Sequence, residues 1–236
     1  MLLDDSILID APPTILHQLQ SNNISSSQIT DLLITHWHGD HVFGLPFLLL
    51  DRRFISDREG NAKLRIHLHP NGIQRMKNIC ELAFPNTLLT VIEERVEWIT
   101  NDTGHANGWD YERFPVKHTP ETDPHGYLLR DCNGFVLLHT GDSGPCDTID
   151  QRIPDSNCIL LEMGVPDGEG FPYHHRPEDI IQTTTKDNQK TFLITHSYAS
   201  GKEEKTGFSM PSLPQNAIQI EDGQVFNLEI SGIKLE

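Results

Sequence analysis

The stretch Leu32-Leu33-Ile34-Thr35-His36-Trp37-His38-Gly39-Asp40-His41 decides how the chain is read. Four residues with the apolar, β-branched pattern of a buried strand run directly into three histidines and an aspartate within six positions. In an extended turn, side chains two apart point the same way, so His36 and His38 can grip one ion together. Asp40 and His41, as the chain turns into a helix, can face a second. A loop that needed only solubility would not gather so many donors at the mouth of an apolar strand.

Working outward, further strand-like runs lie at Ile7 to Ile9, Leu64 to His69, Tyr127 to Leu129, Phe135 to His139, Cys158 to Glu162 and Thr191 to Thr195. Helical spacing marks Pro13 to Gln20, Asn71 to Phe84 and Arg176 to Lys186. The last of these opens on Pro177-Glu178-Asp179, a first turn suited to proline and to acids near the positive end of the helix dipole. Ala217 to Ile230 alternates around Asp222-Gly223 and reads as a hairpin. Asn101 to Gly108 and Ser200 to Gly207 are polar enough to be loops. Mixed strands and helices in 236 residues, without a repeat or linker, predict one α/β domain spanning residues 1–236.

Composition excludes several classes. The chain has 34 acidic and 18 basic side chains, a net charge of -16, so its average surface repels polyanions and does not resemble a basic nucleic-acid groove. No uncharged apolar run approaches the ~18 residues of a spanning helix, so no membrane partner is expected. The first ten residues lack the basic cluster of a secretory signal, which points to a cytoplasmic protein. Cys80, Cys132, Cys146 and Cys158 show no paired spacing and read as reduced thiols.

The HxHxDH pattern after a hydrophobic strand resembles the signature of the metallo-β-lactamase superfamily, and later motifs follow in the family's order. Val116-Lys117-His118 with Gly126-Tyr127-Leu128-Leu129 is similar to the "H…GY" form of its phosphodiesterase members. His139-Thr140-Gly141-Asp142-Ser143-Gly144-Pro145 matches the metal-bridging aspartate, and Leu193-Ile194-Thr195-His196 the last histidine. The resemblance implies a four-layer αββα sandwich with a dinuclear site. His36, His38 and His118 would bind one metal, Asp40, His41 and His196 the other, and Asp142 would bridge them. Nitrogen and carboxylate donors without thiolate suit two Zn²⁺ and permit Mn²⁺ or Fe²⁺. The implied reaction is hydrolysis by a metal-bridging hydroxide.

The substrate reading comes from what lies between the motifs. Only 24 residues separate His118 from Asp142, too few for the projecting arm of tRNA-processing members. No long nucleic acid is therefore expected as a partner. The Leu160-Leu161-Glu162-Met163-Gly164 and Tyr173-His174-His175-Arg176-Pro177 segments resemble small-molecule phosphodiesterases, including phosphoribosyl cyclic and class II cyclic-nucleotide enzymes. By spacing to Pro177, His174 rather than His175 aligns with their histidine and could protonate the leaving alkoxide. His174 and Asp40 are the candidate catalytic residues, and a small phosphodiester, cyclic or open, is the expected substrate. A lactone, thioester or sulfate ester, or a non-catalytic metal-binding module, are the alternatives. Only seven residues precede the family-like Leu8-Ile9-Asp10-Ala11-Pro12 segment, so part of the first N-terminal hairpin is expected to be missing. An uncovered edge there would favour a homodimer.

Overall fold

The computed structural model describes residues 1–168, 170–199, 207, 209–229 and 232–235, in two compact units, Met1–Asn107 and Gly108–Glu236. The first unit runs β1 (Leu2–Leu3), β2 (Ile7–Ile9), α1 (Ile15–Ser21), β3 (Asp31–Leu33), α2 (Gly39–Val42), α3 (Leu45–Asp51), β4 (Leu64–His67), α4 (Gly72–Ala83), α5 (Leu88–Arg95), β5 (Val96–Ile99) and β6 (Thr103–Ala106). Strands β1 to β5 form a sheet in sequence order, antiparallel only between β1 and β2.

Strands β2 and β3 are buried along their whole length, as parallel strands covered by helices must be. Leu8, Leu32, Leu64 and Ile66 of the sheet pack with Ile15 and Leu19 of α1, Leu45, Leu48 and Leu49 of α3, Met76 and Cys80 of α4, and Val91 and Ile92 of α5. In α1, α3 and α4 these positions recur three or four apart, the spacing of one helix face. Each fully buried Leu or Ile contributes about 1.5–3 kcal/mol. Because β2, β3 and β4 run parallel, their carboxyl ends share one edge, the usual place for a site in an open α/β sheet.

The second unit runs β7 (Trp109–Pro115), β8 (His125–Asp131), β9 (Val136–His139), α6 (Asp147–Asp150), β10 (Cys158–Met163), α7 (Pro177–Lys186), β11 (Thr191–Ser197), β12 (Ala217–Gln219), β13 (Phe226–Glu229) and β14 (Gly232–Leu235). Strands β7 to β12 of the second unit form a sheet in the order β12-β11-β10-β9-β8-β7. Strands β7, β8 and β9 make an antiparallel meander, whereas β9, β10, β11 and β12 are parallel. The core gathers Phe114, Leu138, Ile159, Leu161, Met163, Phe192 and Ile194 with Ile149 and Ile180. The tight β8–β9 turn is closed by the Asp131 carboxylate, which accepts the Asn133 and Phe135 amides at 2.9 and 2.7 Å.

Two expectations need correction. Ala217 to Ile230 is not one hairpin. Strand β12 pairs in parallel with β11, and the antiparallel hairpin is β13 with β14. Residues 222 and 223 make a turn between them, with Gly223 at φ 84°, while Ile230 lies outside the described residues. Asn101 to Gly108 is not all loop, since it contains β6. The expected Ser200 to Gly207 loop lies outside the described residues except for Gly207. All four cysteines are free, and burial pushes the Cys80 and Cys158 thiols up to about 12. No helix among the described residues is long and apolar enough to cross a membrane.

Candidate metal centre

In the first unit the donors are built around Asp10, which follows β2. Its amide donates to the Leu33 carbonyl at 2.9 Å, tying it to the end of β3, and its backbone is left-handed, φ 62°. One carboxylate oxygen accepts the Thr35 amide at 2.8 Å. The other accepts the Thr35 hydroxyl at 2.8 Å and His41 Nδ1–H at 2.7 Å. With the Thr35 proton committed to Asp10, the 3.1 Å contact between Thr35 Oγ1 and His36 Nδ1 is one in which the ring donates. Asp10 thus sets the tautomer of two rings, directly for His41 and through Thr35 for His36, and puts their lone pairs on Nε2. Burial opposes the charged form of Asp10, but His41, His36 and the Thr35 amide together hold its pKa below the usual carboxylate value. This residue was missed as part of the site. In sequence it is one aspartate after a three-residue strand, and its only signal is that Ile7-Leu8-Ile9 ends on it as Leu32 to Thr35 ends on His36.

The four first-unit donors come together. His36 is 1% exposed, and its Nε2 lies 3.0 Å from His38 Nδ1, close to the about 3.3 Å that two nitrogens keep on a tetrahedral zinc. The His36 and His41 rings are 4.1 Å apart, and His41 Nε2 is 3.4 Å from the Asp40 carboxylate, whose side chain is 61% exposed. His38 stands at the N-cap position of α2 and Asp40 lies in its first turn. Gly44 seals the arrangement: its amide donates to the Ala11 carbonyl at 2.8 Å, and a Cβ there would stand 2.1 Å from the Pro12 carbonyl.

In the second unit His118, Asp142 and His174 offer ligand atoms within 4.8 Å of one another, and His196 Nε2 lies 3.5 Å from Asp142. The loop bearing His118 is zipped to the loop after Asp142: Gly144 N donates to Lys117 O at 2.8 Å and Lys117 N to Ser143 Oγ at 3.1 Å. His118 Nδ1–H donates to the Tyr173 carbonyl at 2.9 Å, which puts its lone pair on Nε2. His196 sits where the β10–β11 register slips by one residue, with φ 45°. Bulges re-aim side chains in this way, and such strain gathers at functional positions.

Glu162 organises the remaining group. Its buried carboxylate accepts His174 Nδ1–H at 2.9 Å, the Ser143 amide at 3.2 Å, the His175 amide at 3.1 Å and the Gly164 amide. The hydrogen bond that His174 donates to Glu162 raises its pKa against the opposing effect of desolvation. The His174 ring lies 4.8 Å from that of His118 and stacks at 6.2 Å on that of His196. His175 instead faces inward, and burial lowers its pKa to about 4. Alternation along one strand of chain thus separates the two histidines.

The other histidines have quieter places. His67 Nε2–H donates to the Asp31 carboxylate at 2.7 Å within the first sheet, and His17 and His105 are exposed. His125 is buried, with Nδ1 2.8 Å from the Asp123 carbonyl. His139 Nδ1 accepts the Gly141 amide at 3.1 Å and so supports the turn that carries Asp142. Ser197 accepts the Ala199 amide at 3.1 Å, and Tyr198 packs on the second unit's core.

The donor sets suit a metal: buried imidazoles with lone pairs fixed by carboxylate, hydroxyl and carbonyl partners, and carboxylates beside them. The fold is that of metallo-β-lactamase-fold proteins. YhfI of that fold from Bacillus subtilis superposes with a TM-score of 0.67 at 15% identity, over 94% of this chain and 87% of its own. A diphosphatase from the PhnP family gives 0.67 at 20%, over 96% and 83%. Among curated relatives, ribonuclease Z of Staphylococcus aureus strain Newman is 26% identical across 89% of this chain and 83% of its own length. The chain is a hydrolase of this metal-dependent class. Residues 2–208 match the family model of the Anti-Pycsar protein Apyc1, and the chain belongs to that family.

Proposed function

We propose that the chain is a dinuclear metal-dependent phosphodiesterase acting on a small cyclic phosphodiester of the cyclic-nucleotide kind. The observation that carries this reading is the Glu162–His174 pair, set beside His118 and Asp142. A histidine whose Nδ1–H is held by a buried carboxylate is oriented to give its other proton to a departing alkoxide. Membership of a family whose named representative is a cyclic-nucleotide phosphodiesterase supports the same reaction.

The two units are read as halves of one domain spanning residues 1–236. His36, His38 and His118 would hold one ion, Asp40, His41 and His196 the other, with Asp142 serving both. Zinc fits these donors best, with Mn²⁺ or Fe²⁺ as substitutes. The chemistry a bound pair supplies is a water ionised near neutral pH and neutralisation of charge on the phosphoryl oxygens. Within the chain, Asp10 and the Tyr173 carbonyl keep the ligand rings in the required tautomers. Glu162 keeps His174 aimed and favours its charged form, and His174 protonates the leaving oxygen. Asp40 stands beside His41 at the exposed side of its cluster and is the other candidate catalytic residue.

The ribonuclease Z relatives raise RNA as a substrate. Against it stand the net charge of -16 and the His118-to-Asp142 segment, which is filled by a single 3-10 turn, β8, a tight turn and β9. A panel of 3′,5′-cyclic nucleotides, a precursor tRNA, a lactone and a thioester tests the proposal on zinc-loaded protein. Cyclic nucleotides should be opened while the others persist. Asp142→Ala should lose bound metal and activity. His174→Ala should keep metal and lose about 10²-fold or more in kcat. Cleavage of the tRNA alone, or full turnover by His174→Ala, would overturn the reading.

A further inference from the structure

Tyr173 immediately precedes His174, and its main chain is clamped on both sides. Its carbonyl accepts His118 Nδ1–H at 2.9 Å. The next two residues are tied to Glu162, through His174 Nδ1 at 2.9 Å and the His175 amide at 3.1 Å. Pro172, just before it, presses on the loop after Asp142, where a Cβ on Gly144 would stand 2.0 Å from the Pro172 carbonyl. The ring nevertheless remains 36% exposed. It lies perpendicular to the His118 imidazole, 80° between planes and 6.5 Å between centroids, so it is not stacked on that ligand. A tyrosine needs only two torsions fixed, and on a clamped backbone it presents a flat, rigid face at small entropic cost.

We propose that Tyr173 is a specificity-determining residue whose ring stacks on the planar heterocycle of the substrate, so that the phosphodiesterase site selects nucleotides. This rests on the function proposed above. The exposed aromatic stands one residue from the candidate general acid and touches a candidate metal ligand, so a substituent on the scissile phosphodiester would pass over it. Base–aromatic stacking tolerates any base, because every base has a π face. The inference therefore concerns nucleotides as a class.

The test compares two substrates on zinc-loaded protein: 3′,5′-cyclic AMP and the base-free ribose 3′,5′-cyclic phosphate. Tyr173→Ala should raise KM for cyclic AMP about tenfold or more, with kcat and metal content kept, and leave KM for the base-free compound unchanged. The carbonyl that holds His118 is main chain and survives the substitution. Tyr173→Phe should restore the wild-type KM, whereas Tyr173→Leu, apolar but without a π face, should behave as alanine does. Equal KM changes on both substrates, or none on either, would overturn the inference. A failure of the functional reading shows differently: wild-type protein would cleave neither compound, and the inference would fall with it.

Discussion

At the scale of single residues, the site depends on atoms that carry no chemistry of their own. Gly164 is the sharpest case. A Cβ there would lie 2.5 Å from His174 Nδ1 and 2.8 Å from Glu162 Oε2, pressing on both partners of the hydrogen bond that orients the candidate general acid. Gly164→Ala should therefore keep its metal, by elemental analysis, while kcat on a cyclic nucleotide falls by at least about tenfold, approaching the loss in His174→Ala. Retention of full turnover would show that the Glu162–His174 pair is dispensable. Residue types also explain what the sequence could and could not disclose. His36, His38, Asp40 and His41 are legible because four donors crowd six positions after an apolar run. Asp10 is not, because its part in the site comes from a left-handed turn and from Thr35, 25 residues away, neither of which leaves a local pattern. In sequence the two histidines differ only in their distance to Pro177, while in the structure His174 is partly exposed and His175 is buried.

At the scale of elements, the ends of the strands divide the labour. In the first sheet the carboxyl ends of β2 and β3 lead to Asp10 and His36, while the amino end of β3 holds a separate buried network. Asp31 accepts two hydrogen bonds from Arg65, both 2.7 Å, with His67 and Thr30 also at 2.7 Å. Burial by itself would raise the pKa of Asp31, but the bonds from His67, Arg65 and Thr30 outweigh it and hold the value down to about 2 from 3.8. A depressed carboxylate pKa means that the stabilisation is fully present above the unfolded value and fades as pH falls toward 2, so the window is roughly pH 4 to 2. Asp31→Asn should then unfold more easily in urea by about 2 kcal/mol at pH 7, with the gap to wild type closing toward pH 2. A gap independent of pH would mean that packing rather than charge holds this corner.

Elements also differ in how plainly they announce themselves. Buried parallel strands are continuous apolar runs, so β2, β3, β9, β10 and β11 could be read directly. Strand β6, Thr-Gly-His-Ala, is largely polar and offers no periodicity. The Ala217 to Ile230 segment alternates equally well as a hairpin or as an edge strand followed by a turn. What decides is the long-range pairing of β12 with β11, which no local pattern encodes.

At the scale of the whole molecule, the order of motifs from residue 36 to 196 makes the fold class legible, because the donors lie at or just beyond the ends of strands. The proposed function requires bound metal at the histidine and aspartate donors. A ligand that binds only the folded state stabilises it by about 4 kcal/mol at a thousandfold excess over Kd, so chelation should lower the melting temperature and zinc should restore it. The most direct measurement is the metal content of purified protein equilibrated with zinc, set against Asp142→Ala treated alike. The wild type should bind about two ions per chain, with a clear loss in the variant. A wild-type chain that binds no transition metal, or a variant that retains the full complement, would contradict the proposed function.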